Sequence, residues 1–229
     1  MNLPFISDSD FLEAVRRLVK AVEDGRVKAD SDPYRNGIDP FSSLVDAAHQ
    51  NISPREWLEQ EKARQAQKSL QNAIGAFHQN ILGSMPGWRD AGYAGSFDVE
   101  NSSRGIIAEV KNKHNTMNAT GARGVYATLA EHLDGDKSGF TAYLVQIIPK
   151  TPTPYDEMFA SHRSTPLRED IRRIDGKSFY ALASGDPDAV QKIYEAMPEM
   201  LSKILPVKPH TLSSSPEFIE FYEQVYGND

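Results

Sequence analysis

Residues 140–148 read Phe-Thr-Ala-Tyr-Leu-Val-Gln-Ile-Ile, a nearly continuous apolar run rich in β-branched side chains. A strand with one wet face alternates polar and apolar residues, whereas a run of this kind is covered on both faces. A chain that contains it needs helices on each side of a sheet, and the surrounding segments read as helices. Ser9 or Asp10 can cap a helix over 11–23, with Phe11, Leu12, Val15, Leu18, Val19 and Val22 at helical spacing. A polar stretch with turn signals Asp32-Pro33 and Asn36-Gly37 follows over 24–40, then a short helix over 41–50. Ser53 and Pro54 suit the cap and first position of a long helix that ends at Gly83. Further helices are expected from Asn118 or Thr120 to about 133, from Asp186 or Asp188 to about 205, and after Ser215-Pro216. Residues 93–100 and 105–112 read as two strands around the polar turn Asn101-Ser102-Ser103-Arg104. The stretch 149–166, with Pro149, Pro152, Pro154 and Pro166, reads as a long surface loop, and Asp175-Gly176 as a hairpin turn before a strand at 178–182. The order of elements predicts an α/β fold, a small mixed sheet flanked by helices on both sides.

The 229 residues carry no low-complexity linker, so a single domain is expected, with an N-terminal helical extension (about 1–53) and C-terminal helices (about 186–229). The absence of cysteine excludes disulfides, iron–sulfur clusters, cysteine zinc sites and thiol nucleophiles. The first residues do not read as a secretory signal and no apolar run is long enough to span a membrane, so a cytoplasmic protein is expected. A net charge of −7 disfavours a generally basic nucleic-acid binder but leaves room for a local basic face. Neither a G-x-S-x-G nucleophile elbow nor a G-x-x-x-x-G-K-[ST] phosphate loop occurs.

Residues 97–111 carry the chemistry. Residues two apart in a strand share a face. Glu109 and Lys111 therefore point one way, while Ala108 and Val110 point into the core. A hairpin centred on Ser103-Arg104 sets Asp98 across from Glu109, and opposed residues also share a face. Two opposed carboxylates repel, and a divalent cation between them reverses the sign. Oxygen ligands without His or Cys suit Mg²⁺, which takes one or two carboxylates and keeps several waters. Lys111 beside that ion can stabilise hydroxide and a pentavalent phosphoryl transition state, the apparatus of phosphodiester hydrolysis. The same residues also fit a solvated hairpin with a surface Glu–Lys pair. The second acid-x-Lys, Asp175-Gly176-Lys177, is read as part of a turn.

The polar run after the second strand places Lys113, His114 and Asn115 beside the site, where they can contact flanking phosphates, or serve only as a loop leading to a helix cap. With Arg104 and Arg123 they make the region locally basic. Segment 150–177 supplies Arg163, Arg168, Arg172 and Arg173 as base-reading candidates, although nearby acids nearly cancel their charge. His78 reads as a core histidine, and Trp88 and Tyr93 as core aromatics.

The arrangement of Asp98 with Glu109-Val110-Lys111 resembles the PD-(D/E)xK nuclease superfamily, with Phe97 where its signature has proline. A wider set is similar to a branch of type II restriction endonucleases that cut GGNCC-type sites: Gln67-Lys68, the helix end from Gln71 to Gly83, Gly87-Trp88, and the run from Ile106 to Thr116. The similarity spans roughly residues 40–185. It implies a restriction-endonuclease-like core, Mg²⁺, cleavage of double-stranded DNA, action as a homodimer on a palindromic site, and pairing with a DNA methyltransferase. Asp98 and Glu109 match the metal-binding acids and Lys111 the catalytic lysine. Glu61 or Gln79 is expected to complete the site from the preceding helix, with His114 a further active-site candidate. Two alternatives stand beside this one: a repair or structure-specific nuclease of the same fold, and a non-catalytic DNA-binding module.

Overall fold

The structure, a computed structural model, describes residues 3–92, 96–163, 165–208, 211–212 and 215–227. The chain divides into two compact units, residues 16–76 and residues 1–15 with 77–229. Helices α1 (Asp8–Ser31) and α3 (Pro54–Gly83) contribute residues to both.

In the unit of residues 16–76, α1 does not stop at 23 as its apolar stripe predicts but continues to Ser31. Close helix packing explains the difference. A Cβ on Gly25 would lie 2.4 Å from Ser69 Cβ on α3, so this glycine permits close approach rather than ending the helix. Gln65 on α3 donates to the Pro33 carbonyl at 2.8 Å, tying down the turn that follows α1. Helix α2 (Pro40–Gln50) is capped by Asp39, whose carboxylate accepts from Phe41 N at 2.9 Å. Ser53 caps α3 as predicted. Glu56 accepts from Ser53 N at 2.8 Å and its own N–H donates to Ser53 Oγ at 3.3 Å, a reciprocal capping box.

The unit of residues 1–15 and 77–229 is built on a sheet of six described strands: β1 (Arg89–Asp90), β2 (Val99–Asn101), β3 (Ile106–Lys113), β4 (Thr141–Ile148), β5 (Asp156–Met158) and β6 (Ile171–Asp175). Their order is β1-β2-β3-β4-β6-β5. The β3-β4-β6 core is parallel, and β1, β2 and β5 join antiparallel. The apolar run is β4, inside the sheet and buried along nearly its whole length. Leu144 on one face packs with Leu129 and Leu133 of α4 (Ala119–Asp134), together with Ile107, Ala142 and Ile171. Tyr143 points the other way, onto Phe179 of α5 (Gly176–Ser184) with ring centroids 5.8 Å apart. Helices α6 (Ala189–Ser202) and α7 (Pro216–Tyr226) follow. A small mixed sheet covered by helices on both faces is the architecture predicted.

Two local expectations are corrected. Residues 178–182 are helical, and the strand lies earlier, at Ile171–Asp175, inside the segment 150–177 that carries the base-reading candidates. Arg172 and Arg173 interrupt its apolar pattern, but Asp156 and Glu157 on β5 pair with them across the strand. Asp175 is not a turn residue but the cap of α5, accepting from Ser178 N at 2.9 Å. Gly176 allows α5 to start against β4, since a Cβ there would lie 2.4 Å from the Ile147 carbonyl oxygen. Among the described residues no helix is long and apolar enough to cross a membrane.

Candidate active site

The β2–β3 hairpin pairs Val99 with Ala108, Glu100 with Ile107 and Asn101 with Ile106, the register predicted from the sequence. Its loop is longer than two residues. Ser102–Arg104 form a 3-10 turn, Asn101 Oδ1 accepts from Arg104 N at 3.1 Å, and Gly105 closes the turn at φ 62°. The longer loop keeps the same midpoint, so the register is unchanged. Continued by one rung, it sets Asp98 across from Glu109.

Asp98 lies just outside the regular ladder. Its backbone N–H donates to the Ala108 carbonyl at 2.9 Å, and its Oδ2 accepts from Val110 N at 2.7 Å. Burial and the neighbouring Glu109 carboxylate push its pKa up to about 6, with Asp90 adding to the rise; the Val110 N–H and Lys111 oppose it. Glu109 and Lys111 are half-buried and meet directly, Lys111 Nζ donating to Glu109 Oε1 at 2.5 Å. The structure therefore brings Asp98, Glu109 and Lys111 together on one face of the sheet. The face is the one that α4 covers further down, because Glu109 pairs with Leu144. Two oxygen donors, partly buried and mutually repelling, fit a hard divalent cation that keeps most of its waters. Among the described residues there is no cluster of three or more His, Cys, Asp or Glu placed to hold a metal.

Two acids near this hairpin were not singled out from the sequence. Asp90 on β1 is close enough for its charge to act on Asp98. Its two-residue strand is too short to give a pattern in the sequence. Glu100, 1 % exposed, accepts from Lys137 at 2.8 Å and Ser102 at 2.5 Å, and pairs with Arg89. Burial pushes Glu100 up, but Lys137, Ser102 and Arg89 outweigh it and hold its carboxyl below the usual range. It clamps the turn end of the hairpin, on the same face as Asp98 and Glu109.

The other candidates are dispersed. Glu61 lies in the 16–76 unit, accepting from Nε and Nη2 of Arg64, each at 2.6 Å, and from Gln65 Nε2 at 2.9 Å. Gln79 is half-buried near the end of α3. Lys113 closes β3, and His114 begins the turn beyond it, its N–H donating to the Ile148 carbonyl at 3.0 Å. Asn115, Arg123 and Arg163 are exposed. Arg168 is held by Asp170 and Asp134, Arg172 by Asp156, and Arg173 by Glu157. His78 Nδ1 lies 2.8 Å from Tyr180 Oη, and burial pushes its pKa down to about 4. Trp88 is a core residue, as read, donating to the Ala183 carbonyl at 3.2 Å; Tyr93 lies outside the described residues.

A mixed sheet with helices on both faces, carrying two acids and a lysine on one hairpin, defines a restriction-endonuclease-like core. The comparisons give the particular family. A model of the Eco47II restriction endonuclease family matches residues 3–206. The type II restriction enzyme Eco47II of Escherichia coli is 38 % identical over 237 residues, covering 98 % of this chain and 99 % of that protein. The type II restriction enzyme Sau96I of Staphylococcus aureus is 27 % identical over 236 residues, covering 99 % and 90 %. The chain belongs to the Eco47II restriction endonuclease family and is a type II restriction enzyme, a site-specific deoxyribonuclease.

Proposed function

We propose that this enzyme hydrolyses phosphodiester bonds in double-stranded DNA at a GGNCC-type site, using Mg²⁺ held by Asp98 and Glu109, with Lys111 as the catalytic lysine. The observation that carries the assignment is the opposition of two partly buried carboxylates beside a lysine. Asp98 is raised by burial and by Glu109, a cost that a cation between the two acids removes. Bound there, Mg²⁺ supplies an activated water and charge stabilisation at the phosphoryl oxygen. The chain's own residues do the rest. The Val110 N–H fixes Asp98, and Glu109 holds the Lys111 ammonium at 2.5 Å. The ammonium offers a positive charge where negative charge develops on the phosphoryl group. Lys113, His114, Asn115 and Arg123 contact flanking phosphates, and Arg163, with Arg168, Arg172 and Arg173 released from their acids, contacts bases. Glu61, Gln79 and His114 are further active-site candidates. The enzyme acts as a cytoplasmic homodimer on its palindrome, with a cognate methyltransferase protecting the same site.

Asp98→Ala, Glu109→Ala and Lys111→Ala are each expected to abolish Mg²⁺-dependent cleavage of a plasmid carrying GGNCC sites, with a folded circular-dichroism spectrum retained. Full activity in any one of them contradicts its assignment. Fragment ends mapped elsewhere than GGNCC refute the site, and a monomer on cognate duplex in sedimentation refutes the dimer.

A further inference from the structure

Gln146 is the one polar residue among the last six of β4, and it is only 6 % exposed. A buried amide without a task is unfavourable against the Leu and Ile that occupy this face on either side of it. Strand pairing explains its place. Gln146 is the β4 partner of Lys111 and the partner of Asp175 on β6. Paired residues of neighbouring strands share a face about 4.8 Å apart, so the amide stands on the rung of the lysine.

Both ends of that amide are held. Tyr155 Oη donates to Gln146 Oε1 at 2.7 Å, and Gln146 Nε2 donates to the His114 carbonyl at 3.4 Å, just past the end of β3. Tyr155 is itself fixed. Its N–H donates to Asp175 Oδ2 at 2.7 Å, the Asp175 N–H donates back to its carbonyl at 3.2 Å, and the Arg173 guanidinium lies 5.6 Å from its ring centroid. Burial pushes the Tyr155 hydroxyl up to about 12, so it remains a donor throughout the working range of an enzyme. A chain of hydrogen bonds thus runs from Asp175 at the end of β6 through Tyr155 and Gln146 to His114, the residue that follows the strand carrying Glu109 and Lys111.

We infer that Gln146, oriented by Tyr155, is a positioning residue for Lys111. Glu109 holds the lysine along its own strand, and Gln146 supplies the fixed polar wall on the neighbouring strand. A lysine has four rotatable bonds, and confinement from two sides keeps its ammonium where charge develops. The inference rests on the proposed catalytic role of Lys111, and the test separates the two.

Tyr155→Phe removes one oxygen, and Gln146→Leu matches the neighbouring residues in character. Each is expected to lower single-turnover cleavage of a GGNCC duplex by roughly tenfold, the loss typical of one buried hydrogen bond. The KM for DNA and the Mg²⁺ concentration for half-maximal rate are expected to stay within about twofold of the parent, because neither variant touches Asp98 or Glu109. An unchanged rate in both variants overturns the inference. So does a rate loss accompanied by an equal rise in KM or in the Mg²⁺ requirement, which marks general damage to the site. ¹³C relaxation of the Lys111 ε-methylene in metal-free protein gives a readout independent of cleavage. Greater mobility in both variants supports positioning, and unchanged mobility overturns it. If Lys111→Ala retains cleavage while the methylene mobility responds, the catalytic role fails and the positioning stands.

Discussion

Asp98→Asn tests the electrostatics of the site without relying on catalysis. Asn keeps an oxygen to accept from the Val110 N–H and removes only the charge. In the folded protein Asp98 is raised from 3.8 to about 6, by burial and by Glu109. That rise of about two units corresponds to roughly 3 kcal/mol of destabilisation at pH 7 as an upper bound, at about 1.4 kcal/mol per unit. Water around a half-buried carboxylate reduces it to about 1–2 kcal/mol. For a chain of this size each kcal/mol moves the melting midpoint by about 2–4 °C, so the Asn variant is expected to melt on the order of 5 °C higher. The sign follows from proton linkage. The folded value lies above the unfolded one, so the parent loses stability as pH rises from about 4 to about 6. The gap between variant and parent is full at pH 7 and vanishes below about pH 4, where both states hold the proton. The assay is differential scanning calorimetry in the presence of a chelator. A variant that melts at or below the parent at pH 7 refutes the reasoning. Added Mg²⁺ is expected to raise the parent's midpoint and leave the variant's nearly unchanged.

His78 titrates the other way. Its folded value of about 4 lies below the usual 6.5, so the stability it contributes is full above pH 6.5 and is lost as pH falls through about 4; an NMR titration showing its imidazole ionising near 6.5 contradicts this. Gly176→Ala drives a methyl to within 2.4 Å of the Ile147 carbonyl oxygen, and a loss of about 2 kcal/mol or more in urea unfolding is expected. An unchanged urea midpoint shows that α5 can move off β4 freely.

The segments legible in the sequence are those whose signal is local. The cap at Ser53, the apolar run of β4 and the hairpin register each depend on residues close together in the chain. The register survived an error in loop length because four residues centred on the Ser103-Arg104 bond impose the same pairing as two. Strand β6 is illegible in the sequence because its arginines look solvated until Asp156 and Glu157 of the neighbouring strand form ion pairs with them. Gln146 left a signal that could have been used, a single amide near the end of an apolar strand.

Alternation along β3 and the turn that precedes it are short-range geometry, so the chain's own order of residues settled that Glu109 and Lys111 share a face and that Asp98 meets them. Parallel pairing joins segments far apart in sequence, and no local pattern states which rung meets which. Only the folded sheet decided that Lys111 stands beside Gln146 and Gln146 beside Asp175, because that register is set by packing α4 and α5 on opposite faces of β4.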